Sequence, residues 1–144
     1  MTTRSDFRGA ELVSDVFGYW PSFHDAEVLR ICLERTSASE GGPQLLADIH
    51  VFEIGDEVGA DGTLVLRHHT LVSFRFSGID DLFVSGFGNQ NVIAGLSILD
   101  IRSRQLGLLR FEVSFEGSFG TSINFLCRDV TVDYVKPWGF GRHR

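Results

Sequence analysis

Apolar residues recur along this chain at two periods, and the change from one to the other falls at Gly18. Before it, Phe7, Ala10, Val13 and Phe17 follow helical spacing, with Asp6 and Glu11 near the positive end of the helix dipole. This predicts a short N-terminal helix that Gly18 stops. Pro21 then pushes Trp20 towards an extended backbone, so Trp20 to Ser22 is expected to be a rigid bend from helix to sheet. From Asp25 onward the period is two. Ala26, Val28 and Cys32 alternate with Glu27, Leu29, Ile31 and Leu33 in a strand with two mixed faces. Leu45 to Ile54 places Asp48, His50 and Phe52 on one face, and Leu64 to Phe76 reads as one long strand or two short ones.

Short strands are expected at Leu82 to Phe87, Leu109 to Glu116, Thr121 to Cys127 and around Val130 to Tyr134. Val92 to Ile101 fits a strand or a helical turn equally. Between these runs, Glu34 to Gln44, Gly55 to Gly62 and Gly88 to Asn91 carry the Gly, Pro, Ser and Asn of loops, and Asp61-Gly62 is a good hairpin-turn pair. The basic end, Trp138 to Arg144, is expected to fray. Consecutive hairpins without strand–helix alternation predict a mainly β (α+β) chain. The expectation is an antiparallel meander forming a curved sheet, a partial barrel or a two-layer sandwich, with the short helix packed on it. Residues 1–144 are read as a single domain.

Composition supports strands over helices: 43% of the 144 residues are apolar, with 13 Phe and 16 Gly. The formal net charge of −6 repels phosphate backbones and leaves no basic stripe for nucleic acid, so a basic protein is the easier partner. The polar N-terminus and the lack of a run of ~20 apolar residues predict a cytoplasmic protein without a membrane partner. Cys32 and Cys127, far apart, read as reduced small hydrophobes.

Candidate chemistry concentrates at Tyr19-Trp20-Pro21-Ser22-Phe23-His24-Asp25-Ala26-Glu27-Val28. His24, Asp25 and Glu27 could act as a general acid and base. Alternatively His24 or Asp25 ties down the bend through backbone donors while Trp20 and Phe23 pack beneath it. A metal set of His24, Asp48, His50 and one of His68 or His69 is sterically conceivable, but nothing in the spacing demands it, and neither a metal nor a cofactor is expected. Gly95-Leu96-Ser97-Ile98-Leu99 lacks the closing glycine of a nucleophile elbow.

The stretch from Gly18 to Val28, with its Trp-Pro-x-Phe-His-Asp core at Trp20, Pro21, Phe23, His24 and Asp25, resembles the bacterial immunity protein 50 family of polymorphic toxin systems. The resemblance continues through Leu71 to Phe76, Asp81-Leu82 and Gly86-Phe87-Gly88-Asn89-Gln90-Asn91. It implies a non-enzymatic role: binding a cognate protein toxin domain and blocking its active site or substrate path. The exposed carboxylates Glu53, Asp56, Glu57, Asp61, Asp80 and Asp81 are then the candidates for meeting a basic partner. The alternatives are a small hydrolytic or metal-dependent enzyme built on the motif, and a housekeeping interaction domain in which Trp20, Pro21, Phe23, His24, Asp25 and Glu27 only form a corner.

Overall fold

A computed structural model describes residues 7–36 and 41–139. The predicted helix is α1, Ala10–Phe17. It turns Ala10, Val13 and Phe17 inward and ends at Gly18, whose φ of 86° lets its N–H reach the Ser14 carbonyl oxygen at 2.7 Å. The strands are β1 (Glu27–Glu34), β2 (Gln44–Val58), β3 (Leu64–Ser77), β4 (Asp80–Ser85), β5 (Val92–Asp100), β6 (Phe111–Phe119), β7 (Ser122–Cys127) and β8 (Asp129–Pro137). The segment that fitted either strand or helix is therefore a strand. A short 3-10 turn, Arg102–Arg104, separates β5 from β6. Residues 37–40 of the predicted loop and 140–144 of the basic end lie outside the described residues.

The eight strands of the described residues form one antiparallel sheet in the order β4-β7-β6-β5-β1-β2-β3-β8, open rather than closed into a barrel. Two runs of consecutive hairpins, β1-β2-β3 and β5-β6-β7, make up its body. They fold over each other: Phe76 of β3 meets Phe115 of β6 at 6.0 Å and Phe125 of β7 at 5.0 Å, ring centre to ring centre, although several strands intervene in the sheet order. Aromatic edges packed on faces in this way add to the area they bury. The core between the halves includes Leu45, Ile49, Val72, Phe74, Ile98, Val113 and Ile123, all fully buried. It comes from one alternating set per strand, as period two requires.

The two sheet edges differ. β8 is covered by the N-terminal segment: Arg8 bridges to Thr131, and the Val132 N–H donates to the Arg8 carbonyl oxygen at 2.9 Å. Gly9 makes this approach possible, because a Cβ there would stand 2.3 Å from the Val132 carbonyl oxygen. β4 pairs with β7 on one side, with Asp80 opposite Leu126 and Ser85 opposite Ser122.

Candidate functional site

The Trp-Pro-x-Phe-His-Asp motif occupies the seam between the two halves of the sheet. β1 and β5 share a single register pair, Glu27 with Val92. The junction is completed by backbone bonds from Asp25 N–H to Ile93 O at 2.9 Å, Ile93 N–H to Ala26 O at 2.9 Å, and Val28 N–H to Asn91 O at 2.8 Å. Asn91 is itself buried and clamps its loop, accepting the Gly88 N–H at Oδ1 (2.8 Å) and donating from Nδ2 to the Gly88 carbonyl oxygen (2.9 Å). The stretches 18–28 and 86–91 thus meet in one structural joint. Gly120 closes it from a third side, since a Cβ there would lie 2.1 Å from the Gln90 carbonyl oxygen.

Within the motif the roles divide by burial. Phe23 is fully buried and lies 6.0 Å from Phe74; Trp20 packs against Phe7 (5.7 Å), Phe23 (5.4 Å) and Phe74 (6.4 Å); and Pro21 is buried beside them. Phe23 and Asp25 both adopt left-handed backbone, at φ 61° and 67°. That conformation is uncommon for an aromatic residue and persists where the surroundings over-determine it. Ser22 ties the bend, its Oγ accepting the His24 N–H at 3.1 Å. The imidazole and carboxylate do not perform that task. His24 Nδ1 and Asp25 Oδ2 lie 3.3 Å apart in solvent, with the side chains 61% and 47% exposed. Glu27 is half-buried in β1, opposite His50 on one side and Val92 on the other.

The residues of the conceivable metal set are separately engaged. Asp48 accepts from Ser73 Oγ at 2.8 Å and lies 3.6 Å from the Arg30 guanidinium. His50 Nε2 and His69 Nδ1 share a hydrogen bond of 2.9 Å. Among the described residues no group of three or more His, Cys, Asp or Glu side chains is arranged to hold a metal ion. His68 has φ 60° and is the extra residue of a bulge, which turns its ring away from His69. Its Nδ1 lies 3.1 Å from the Val16 carbonyl oxygen and its Nε2 3.7 Å from Glu53. Burial pushes the Cys127 thiol far above the usual range.

The described carboxylates of the predicted partner-binding set do not form one patch. Glu53 is held by the Tyr19 hydroxyl, which donates to Oε2 at 2.7 Å; this bond and burial raise the tyrosine above its ordinary pKa. Glu57 and Asp61 are exposed at the far end of the β2–β3 hairpin, where Thr63 donates from its N–H and its hydroxyl to Asp61 (3.1 and 2.8 Å) and holds that carboxyl below the usual range. The side chain of Asp56 lies outside the described set. Asp80 and Asp81 are exposed at the start of β4, beyond the opposite end of β3.

One feature had only a faint trace in the sequence. The alternation that placed His50 and Phe52 together continues across the hairpin, where they form a ring cluster with His69 and Trp138. His50 lies 5.6 Å from Phe52, 5.2 Å from His69 and 6.2 Å from Trp138. Burial, with His69 adjacent, lowers His50 to about 4, and burial also lowers His69. Trp138 thus belongs to the outer face of the sheet.

A cleft of about 540 Å³ lies elsewhere, lined by Arg8, Arg75, Arg110 and Asp129 among others. Arg75 is taken up by Asp133 and Gln44 there. No motif residue lines this cleft or three smaller ones beside Ile79, His69 and Asn124. Fold and motif together define an antiparallel β fold in which the buried residues of the motif frame the sheet. The chain belongs to the immunity protein 50 family, whose model matches residues 9–138. Comparison with curated proteins and with solved structures finds no match. No helix among the described residues is long and apolar enough to cross a membrane.

Proposed function

We propose that this protein is an immunity protein that binds and neutralises a cognate bacterial toxin domain in the cytoplasm. The observation that carries the reading is the family match over residues 9–138. The structure is compatible with a binding role in one specific respect. Of the residues that suggested acid–base chemistry, His24 and Asp25 form a solvent-exposed pair and Glu27 sits half-buried in β1 between His50 and Val92, and none of them lines the clefts described above. A general acid and base need a shared substrate position within hydrogen-bond reach of both. The net charge of −6 suits a partner with a basic surface, including one whose own substrate is an anion.

The decisive experiment is co-expression with the toxin domain encoded beside its gene. Growth should be rescued, and a stoichiometric complex should co-purify. No rescue together with no complex would reject the reading. Rescue that persists in His24→Ala and Asp25→Ala would separate neutralisation from any chemistry at the motif.

A further inference from the structure

β2 and β3 outrun the rest of the sheet. β1 accompanies β2 only between Gln44 and His50, and β8 accompanies β3 only between Thr70 and Ser77. Beyond those points, among the described residues, the two strands pair with each other alone, through Glu53–Arg67, Ile54–Leu66 and Val58–Leu64. A two-stranded hairpin is at best marginally stable in water, so such an arm needs something on its faces. One face has it: Glu53 carries the Tyr19 hydroxyl and the His68 ring. The other presents Ile54, Val58, Leu64 and Leu66, exposed to 47%, 65%, 49% and 38%.

These four chains lie on one face. Leu64 and Leu66 are two apart on β3, and each stands opposite its partner on β2. The extra residue at the His68 bulge is on β3, so β2 stays in phase and Phe52 shares the face of Ile54. The aliphatic stripe therefore runs on into the ring cluster of Phe52, His50, His69 and Trp138. Single exposed apolar residues are ordinary, whereas a contiguous stripe ending in aromatic anchors marks an interaction surface.

We infer that this outer face of the β2–β3 arm is where the toxin domain docks, its matching surface an apolar ridge rimmed by Lys or Arg. The inference rests on the immunity reading. The charge around the stripe selects the occupant: Glu57 and Asp61 stand exposed at its outer end. A second copy of this chain would bring the same carboxylates, and another net charge of −6, against them.

The test uses the full chain and the inactivated toxin domain encoded beside its gene, with affinity read by calorimetry. Ile54→Ser/Leu66→Ser should weaken binding at least about 100-fold. Leu64→Lys, near the tip and away from the core, should weaken it at least about tenfold while leaving the thermal midpoint unchanged. Leu33→Ser on β1 and Leu108→Ser before β6, exposed apolar positions off the arm, should stay within about threefold of wild type. Amide exchange between Val51 and Leu66 should slow in the complex. A wild-type complex that tolerates both arm variants, or leaves exchange in the arm unchanged, overturns the docking face alone. Absence of any wild-type complex rejects the immunity reading and the docking face with it. A dimer of this chain alone, dissolved by Leu64→Lys, would assign the face to a second copy and overturn the toxin as occupant.

Discussion

At the scale of single residues, the seam shows how side chains are divided between holding the fold and facing water. Asn91 makes two hydrogen bonds to Gly88 while its carbonyl oxygen receives Val28. Asn91→Ala removes both bonds from a buried side chain to an exposed loop glycine, whose N–H and carbonyl then turn to water, and is expected to cost about 1–2 kcal/mol. Phe23→Ala, which empties a fully buried site against Trp20 and Phe74, should cost about 3–5 kcal/mol. His24→Ala, at a solvent-exposed ring, should stay within about 0.5 kcal/mol. Urea midpoints of the three variants check this ranking; a large loss at His24 would return the ring to a structural role. The bend at Pro21 and the packing of Trp20 and Phe23 were legible because proline geometry and apolar burial are local rules. That Ser22 ties the bend was not, because Phe23 adopts a left-handed backbone that an aromatic residue disfavours. Asn91 looked like one polar residue in a loop, since its importance lies in a bond to a strand 63 positions away in the chain, at Val28.

Among elements, the strands themselves were largely written in the alternation of apolar residues, and β6 with Phe111, Val113 and Phe115 inward is the plainest case. The arm was harder to see. Gly55 to Val58 reads as loop because glycine and carboxylates are poor strand formers, yet β2 continues through it, held by the cross-strand pairs to Leu64 and Leu66. The bulge at His68 was equally hidden, and it separates two adjacent histidines into different environments: His68 towards Glu53 and Val16, His69 into the ring cluster. That cluster gives the hairpin base a pH dependence. His50 titrates near 4 in the folded protein against an ordinary 6.5, and His69 is lowered in the same direction. Between those pH values the unfolded chain takes up protons that the folded chain refuses. The stabilisation is therefore complete above about 6.5 and is lost as pH falls towards 4. Asp61 and Asp100, whose carboxyls are held below the usual range by bonds to Thr63 and Arg102, lose their contributions at lower pH than the histidines. The urea midpoint should fall between pH 7 and 4.5, and His50→Phe should flatten that fall. An unchanged slope in the variant would assign the effect to other groups.

For the whole molecule, strand order was beyond the sequence, because the pairings of β4 with β7 and β3 with β8 depend on contacts between distant segments. That order decides how the charge is distributed. Asp61 stands at the tip of the arm, whereas Asp80 and Asp81 follow the other end of the 14-residue β3, which spans roughly 45 Å at the usual strand rise. A Debye length is about 8 Å at physiological salt and about 30 Å at 0.01 M. The two acidic groups thus act on an approaching partner separately at physiological salt and only partly together at low salt. With a net charge of −6, association with a basic-rimmed toxin domain should be steered electrostatically. Its rate constant is expected to fall roughly tenfold or more between 0.01 and 0.15 M salt, while dissociation changes little. Docking on the arm makes a sharper demand. Glu57→Gln/Asp61→Asn should reduce that salt dependence markedly, and Asp80→Asn/Asp81→Asn should reduce it much less, because the second pair lies several Debye lengths from the tip of the arm at physiological salt and still more than one at 0.01 M. Stopped-flow association across a salt series measures both slopes. Equal reductions would show that the toxin responds to the total charge of the molecule, and a larger effect at Asp80 and Asp81 would move the docking face to the opposite end of the sheet.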